Sequence, residues 1–477
     1  MTSGWSVRAE DTWFDDPGQG EIQLLKYPYP CVAALAISND TDGMDLKTLD
    51  AFHDYVNGVE PTPYGNGLGL EVGDSFWIWS PEGQLALRHG RPNDRGLGGS
   101  VHAARLAELG RAGLLDTLHS MGAWRDDTGI DRAGIERGLE ILDRHGIMPA
   151  VHTNHGGSGA LHGGGGINLV HNVGGPWGYY QAVDDAESPT YALDLMRDFG
   201  FRFFWTDPFY EVTKFGDHLR FPNSHRLNLA ASDYDFRRFF RTNSVDDQEG
   251  FRDTFPGFDA EEIDAIKRKV FNRTLSTFEV RDGPQMYFFK RFRGNEAPNA
   301  GNFCTQVSTE RLDELEAREG SVVIYQHFGI WRAMGRQKNH PSEKRTLGDP
   351  FDEHCLWAWK ELARRQEQGR LFITTTGRLL EYLRVRDNLK VETMPEAADR
   401  RARIRLVEVS CPVMGRSPVS ASSLQGLGFR FPSNWDDPLL IVDGMRGVPE
   451  YRREPDQAFR GFDVLHFPWQ RLEYPQS

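Results

Sequence analysis

Cysteine is scarce and scattered. The four in 477 residues stand at Cys31, Cys304, Cys355 and Cys411. No Cys-x-x-Cys pair exists, which excludes a thiolate zinc knuckle and gives no reason to expect disulfides. Positive charge is also short: the formal net charge is −14, where a nucleic-acid partner would require a basic face. No apolar run approaches the ~20 residues of a membrane span, and residues 1–10 lack the apolar core of a signal peptide. A soluble cytoplasmic protein is the expectation. Three motifs are missing as well. No Gly-x-Gly-x-x-Gly follows the first strand, which weakens a dinucleotide-binding reading. No Gly-x-Ser-x-Gly elbow supports a serine hydrolase. Gly163-Gly164-Gly165-Gly166 lacks the following Lys-Ser/Thr of a phosphate loop and reads better as part of a substrate-covering loop or a linker.

What is present is the composition of a globular protein, with 39% hydrophobic and 26% charged residues, and one stretch of special interest. Ala33-Ala34-Leu35-Ala36-Ile37-Ser38-Asn39-Asp40-Thr41-Asp42-Gly43 reads as a fully buried strand ending in two carboxylates. Strand side chains alternate faces, so Asp40 and Asp42 share one. Carboxylates at the lip of a buried strand are costly unless paired, and in barrels and open α/β sheets that lip carries the chemistry. An Asx-rich turn closing the strand is the alternative.

Strand and helix signals then alternate about eight times. Helices are predicted over 46–56, 102–112, 135–145, 191–199, 309–318, 351–366 and 378–385. Strands are predicted over 74–79, 113–120, 147–153, 201–207, 285–292, 321–327 and 371–376. This pattern predicts an α/β fold, an irregular (β/α) barrel, with a doubly wound open sheet as the alternative. The domain reading is a lead-in over 1–30, a barrel over 31–392 with an insertion over 208–285, and a small all-β module over 393–477.

In a barrel the strand ends would bring together Asp40, Asp42, His119, His152 or His155, Asp207 and His327. Carboxylate and imidazole with open positions suit a divalent metal, most simply zinc, whose bound water becomes a nucleophile. A neighbouring carboxylate could take the water's proton and a histidine could protonate the leaving group. His155 is the favoured loop ligand, with His152 or Asn154 in support; His162 and His171 sit in the Gly-rich loop. Trp77, Trp79, Trp177, Tyr179, Tyr180, Trp205 and Trp331 could stack on sugar rings, although most large aromatics are core.

Three segments resemble motifs of the polysaccharide deacetylase (NodB-homology, carbohydrate esterase family 4) superfamily: Ile37-Ser38-Asn39-Asp40-Thr41-Asp42-Gly43, Asp116-Thr117-Leu118-His119-Ser120 and Val322-Val323-Ile324-Tyr325-Gln326-His327. The resemblance spans roughly residues 30–385. It implies an irregular (β/α) barrel and a metal-dependent hydrolase of C–N or ester bonds on carbohydrate or sugar-containing substrates. Asp40 would be the base, Asp42 and His119 metal ligands, and His327 the acid. Position 123 is Ala where the family has a second His, so the third ligand falls to His155. The family's arginine-containing motif has no match at Thr153-Asn154-His155-Gly156. A glycosidase pairing Asp40 with Asp207 or Glu211, and an inactive barrel binding glycan or protein, are the alternatives.

Overall fold

The computed structural model describes residues 22–41, 43–80, 85–90, 98–123, 131–153, 192–205, 274–279, 285–289, 291–292, 299–329, 350–396, 401–411, 413–436 and 438–476. The chain divides into two compact units, one of Cys31–Arg384 with Arg471–Ser477, the other of Met1–Pro30 with Val385–Gln470.

The larger unit is built on a curled sheet. Its strands are β1 (Ala33–Asp40), β2 (Gly73–Ser80), β3 (Ala86–His89), β4 (Leu115–Ala123), β5 (Val151–Thr153), β6 (Phe203–Trp205), β7 (Leu275–Glu279), β8 (Gln285–Phe289), β9 (Ser321–Gln326) and β10 (Leu371–Ile373). The order is β7-β8-β6-β5-β4-β2-β1-β9, with β10 beside β1 and β3 beside β2. Only β7 runs antiparallel, to β8. Beyond β8, Phe292 bridges to Ile324 of β9, so the sheet turns back on itself as a partial barrel. The all-parallel core needs helical crossovers. These are α1 (Leu46–Val56), α2 (Ala103–Arg111), α3 (Arg132–His145), α4 (Leu193–Phe199), α5 (Thr309–Ala317) and α6 (Glu353–Glu367), and α7 (Thr376–Asn388) follows the last strand.

Local chemistry sets the helix ends. The carboxylates of Asp45, Asp131 and Asp352 accept from the backbone N–H of Thr48, Gly134 and Cys355 at 2.7, 2.8 and 2.7 Å, satisfying donors a helix start leaves open. After α3, Gly146 takes φ 67°, a left-handed cap that glycine adopts without strain. Asp116 likewise accepts from Gly377 N–H at 2.5 Å in the first turn of α7.

Both faces of β1 are buried, and they serve different layers. Ala33, Leu35 and Ile37 face outward into a core shared with Leu49 and Phe52 of α1, Leu106 of α2, Ile135 of α3 and Trp359 of α6. Ala34, Ala36, Ser38 and Asp40 face inward. The register carries that face around the sheet: Asp40 pairs with Ser75, Ser75 with Thr117, Thr117 with Val151, Val151 with Phe203 and Phe203 with Tyr287.

His152, between Val151 and Thr153, therefore faces outward. Its ring lies 6.0 Å from Phe201 and 6.3 Å from Phe204, and neither nitrogen has a hydrogen-bond partner among the described residues. Burial, reinforced by the charge of His119, pushes its pKa down from 6.5 to about 3. The unfolded chain therefore binds a proton that the native state refuses between those values. Stability from His152 is present above pH 6.5 and drains away as pH falls towards 3. His152→Leu is expected to remove about 2 kcal/mol of the loss between pH 7 and pH 5, read from urea unfolding at both pH values. Equal pH sensitivity in the two proteins would contradict this.

The described residues of the smaller unit form two sheets and a short helical turn at Ala421–Leu424. Gln23–Leu24, β14 (Gly428–Pro432), β17 (Phe462–His466) and β16 (Arg452–Pro455) form one antiparallel sheet. β11 (Leu389–Glu396), β12 (Arg401–Cys411) and β13 (Gly415–Ser417) form a second, with β15 (Leu439–Val442) parallel to β12. Phe429, Phe431, Val464 and Leu465 are buried in it. Its limits differ from the sequence reading: it begins at Val385 and not at 393, and both chain ends are divided differently. Residues of the lead-in belong to it, because Gln23 and Leu24 pair with Arg430 and Phe429. The chain end leaves it: Tyr474 donates its hydroxyl to Asp54 at 2.7 Å and Leu472 N–H reaches Glu71 at 2.9 Å, inside the larger unit. Such chain-distant pairings leave no local periodicity to read. Among the described residues no helix is long and apolar enough to cross a membrane.

Candidate functional site

The inward face of β1 ends in Ser38 and Asp40, and polar side chains from four other strands or their ends meet them. Ser75 Oγ lies 2.6 Å from Asp40 Oδ1 and 2.9 Å from His119 Nδ1. An ionised carboxylate only accepts, so the single hydroxyl proton of Ser75 goes to Asp40 and His119 Nδ1–H donates to Ser75. That places a proton on Nδ1 of the imidazole. His119 Nδ1 is also 3.4 Å from Asp40 Oδ1, and the indole of Trp77 stacks on its ring at 4.3 Å. On the other side His327 Nε2 lies 3.8 Å from Asp40 Oδ2 and 3.2 Å from the hydroxyl of Tyr325.

The fourth participant was not assigned from sequence. Arg291 Nη1 donates to Asp40 Oδ1 at 3.1 Å and to Ser38 Oγ at 3.2 Å. Its guanidinium carbon lies 4.0 Å from the ring centre of Trp205 and 3.9 Å from that of Tyr325, a cation held between two π faces. Asp40 is fully buried, and burial alone would raise its pKa. The charges of His119 and Arg291, the hydrogen bonding of His119 and the proximity of His327 outweigh burial and hold the carboxyl well below the usual range.

Directly behind, on the outward face, Asn39 and Asp74 form a second buried network. Asn39 Nδ2 donates to Asp74 Oδ1 at 2.8 Å, while its Oδ1 accepts from Phe328 N–H at 2.9 Å. His53 Nε2 meets Asp74 Oδ2 and His53 Nδ1 meets Asn57 Oδ1, both at 2.8 Å. Asn57 Nδ2 donates to the carbonyl of Val72 at 2.9 Å, so its oxygen faces His53 and both imidazole nitrogens must donate. His53 is a buried imidazolium paired with Asp74. Burial opposes that charge, but Asp74's charge and hydrogen bond, with the Asn57 bond, raise the His53 pKa. This lock holds the residues flanking Asp40 and Ser75.

Of the five expected site residues, Asp40, His119 and His327 come together. Asp42 and His155 lie outside the described residues, as do Asp207, Glu211, His162, His171, Trp177, Tyr179, Tyr180 and Trp331. His152 does not join the site: it is turned into the outer layer against Phe201 and Phe204. Trp205 contacts the guanidinium of Arg291, and Trp79 belongs to the outer core.

Asp40 already carries a guanidinium and a hydroxyl, which suits a neutralised carboxylate and not a ligand to a dication. Among the described residues no three His, Cys, Asp or Glu side chains group to hold an ion. His119, with Nδ1 committed to Ser75, presents the Nε2 geometry of a ligand, and the other two expected ligands, Asp42 and His155, lie outside the described residues. The arrangement can instead hold and move a proton, between a buried carboxylate on one side and imidazoles on both flanks. No protein-family model, curated protein or solved structure matches this chain.

Proposed function

We propose that the larger unit is a hydrolase of the polysaccharide deacetylase type, cleaving a C–N or ester bond on a carbohydrate or other sugar-containing substrate. The observation that carries this reading is the convergence of His119, His327 and Arg291 within 4 Å of the Asp40 carboxylate. In this reading Asp40 takes a proton from water as it attacks the carbonyl carbon. His327, oriented by Tyr325, gives a proton to the departing amine or alcohol as the bond to the acyl carbon breaks. His119 and Ser75 keep Asp40 aimed. A divalent ion, zinc first, on His119 with Asp42 and His155 is a separate part of the proposal, and no step above is routed through it.

The test is acyl release from a panel of N-acetyl and O-acetyl sugars by the full chain. Asp40→Asn and His327→Gln are each expected to lower kcat by about 10²–10⁴-fold. Variants as fast as the parent, or a panel wholly inert with and without added zinc, would sink the reading. Metal content of the purified protein, compared with that of His119→Ala, decides the zinc part by itself.

A further inference from the structure

Arg291 has five N–H donors in one plane, and the contacts above use only those on Nη1. Its Nε and Nη2 are buried and have no hydrogen-bond partner among the described residues, on a residue only 4% exposed. Buried guanidinium donors left unmatched are costly, and such an edge in a native protein calls for a partner. The unpaired edge is the buried Nε/Nη2 fork, whose two parallel N–H bonds match a bidentate oxyanion. Trp205 and Tyr325 close both faces of the guanidinium at 4.0 and 3.9 Å. A partner has to approach in the guanidinium plane, which admits a flat carboxylate more readily than a tetrahedral phosphate.

We propose that the Nε/Nη2 edge of Arg291 binds a carboxylate carried by the substrate, so that the substrate class is an acidic one, such as a sugar acid. This rests on the hydrolase reading for what is cleaved, but the recognition stands on the arginine's own geometry. The proposal has a chemical consequence. A free arginine charge beside Asp40 keeps that carboxylate a poor base. A substrate carboxylate on the opposite edge offsets the charge and returns basicity to Asp40 when a substrate is in place.

The experiment is calorimetric titration of the full chain with glucuronate, glucose and inorganic phosphate at constant ionic strength. Glucuronate is expected to bind at least about tenfold more tightly than glucose, the value of a charge-assisted pair, and more tightly than phosphate. Arg291→Lys keeps the positive charge but loses the fork, and is expected to lose that preference while keeping the native circular dichroism. Equal binding of glucuronate and glucose overturns the proposal on the unaltered protein, whatever the variant does. Phosphate binding as tight as glucuronate overturns the choice of a planar anion. A protein that binds glucuronate selectively yet releases no acyl group supports the recognition and sinks the hydrolase. One that cleaves neutral acetyl sugars without favouring acidic ones does the reverse.

Discussion

His53→Ala is expected to lower the free energy of unfolding by about 3–5 kcal/mol, the loss seen when one member of a buried ion pair is removed and the other charge remains. Asp74 would be left with one hydrogen bond from Asn39 and no counter-charge, at 0% exposure. The effect should depend on pH with a definite sign. The folded pKa of His53 is raised above its unfolded value. The pair's stabilisation is therefore fully present below the unfolded value near 6.5 and is lost as pH rises through the folded one. Denaturant titrations at pH 6 and pH 9 should show the gap between parent and variant narrowing at the higher pH. His152 works in the opposite direction, since its lowered pKa removes stability on the acid side, so the two histidines can be told apart by the limb each variant alters. A His53→Ala protein within about 1 kcal/mol of the parent at pH 6 would show that the pair is not held as an imidazolium–carboxylate. Asn39 and Asp74 adjoin Asp40 and Ser75 in sequence, so loosening the lock should also slow any reaction at the inward face.

The inward face was legible where one strand carries its own signal. The run from Ala33 to Asp40 alternates between two buried layers, so composition and parity place Asp40 on the same face as Ser38. His327 follows the end of a strand that sequence also marks, and His119 lies inside another, which runs on to Ala123; each meets Asp40 as parity requires. Arg291 was not legible, for a physical reason. It follows the strand Gln285–Phe289 in phase with Tyr287 and Phe289, yet a charged residue between Lys290 and Phe292 reads as a solvated strand end. Only the closure through Phe292 and Ile324, a pairing across more than thirty residues, carries it to Asp40. His152 failed in the opposite way. A histidine at a strand end suggests a ligand, but the register of Leu118 with His152 turns it to the helix side. The unit boundaries were hidden for the same reason as Arg291, because Gln23–Leu24 and the segment with Arg471, Leu472 and Tyr474 find partners hundreds of residues away.

A double-mutant cycle on Asp40 and Arg291 is expected to give the largest coupling in the molecule. Asp40→Asn leaves a guanidinium buried between Trp205 and Tyr325 without its carboxylate. Arg291→Met leaves a buried carboxylate with only Ser75 and the two histidines. Each single change is expected to cost about 3–5 kcal/mol. The double variant removes both charges and should be less destabilised than the sum by at least about 2 kcal/mol. The acid limb gives a second reading. The folded pKa of Asp40 lies below its unfolded value of 3.8, so its stabilisation is present above that value and is lost as pH falls through the folded one. Without the Arg291 charge the folded pKa rises, and acid unfolding of Arg291→Met should begin at a higher pH than in the parent. Additive single and double effects, with an unmoved acid limb, would mean that the two side chains do not act as a pair. Coupled stability with activity lost in all three variants is the result expected of a charge pair kept for chemistry, because an apolar pair of similar volume could fill the same space at less energetic cost.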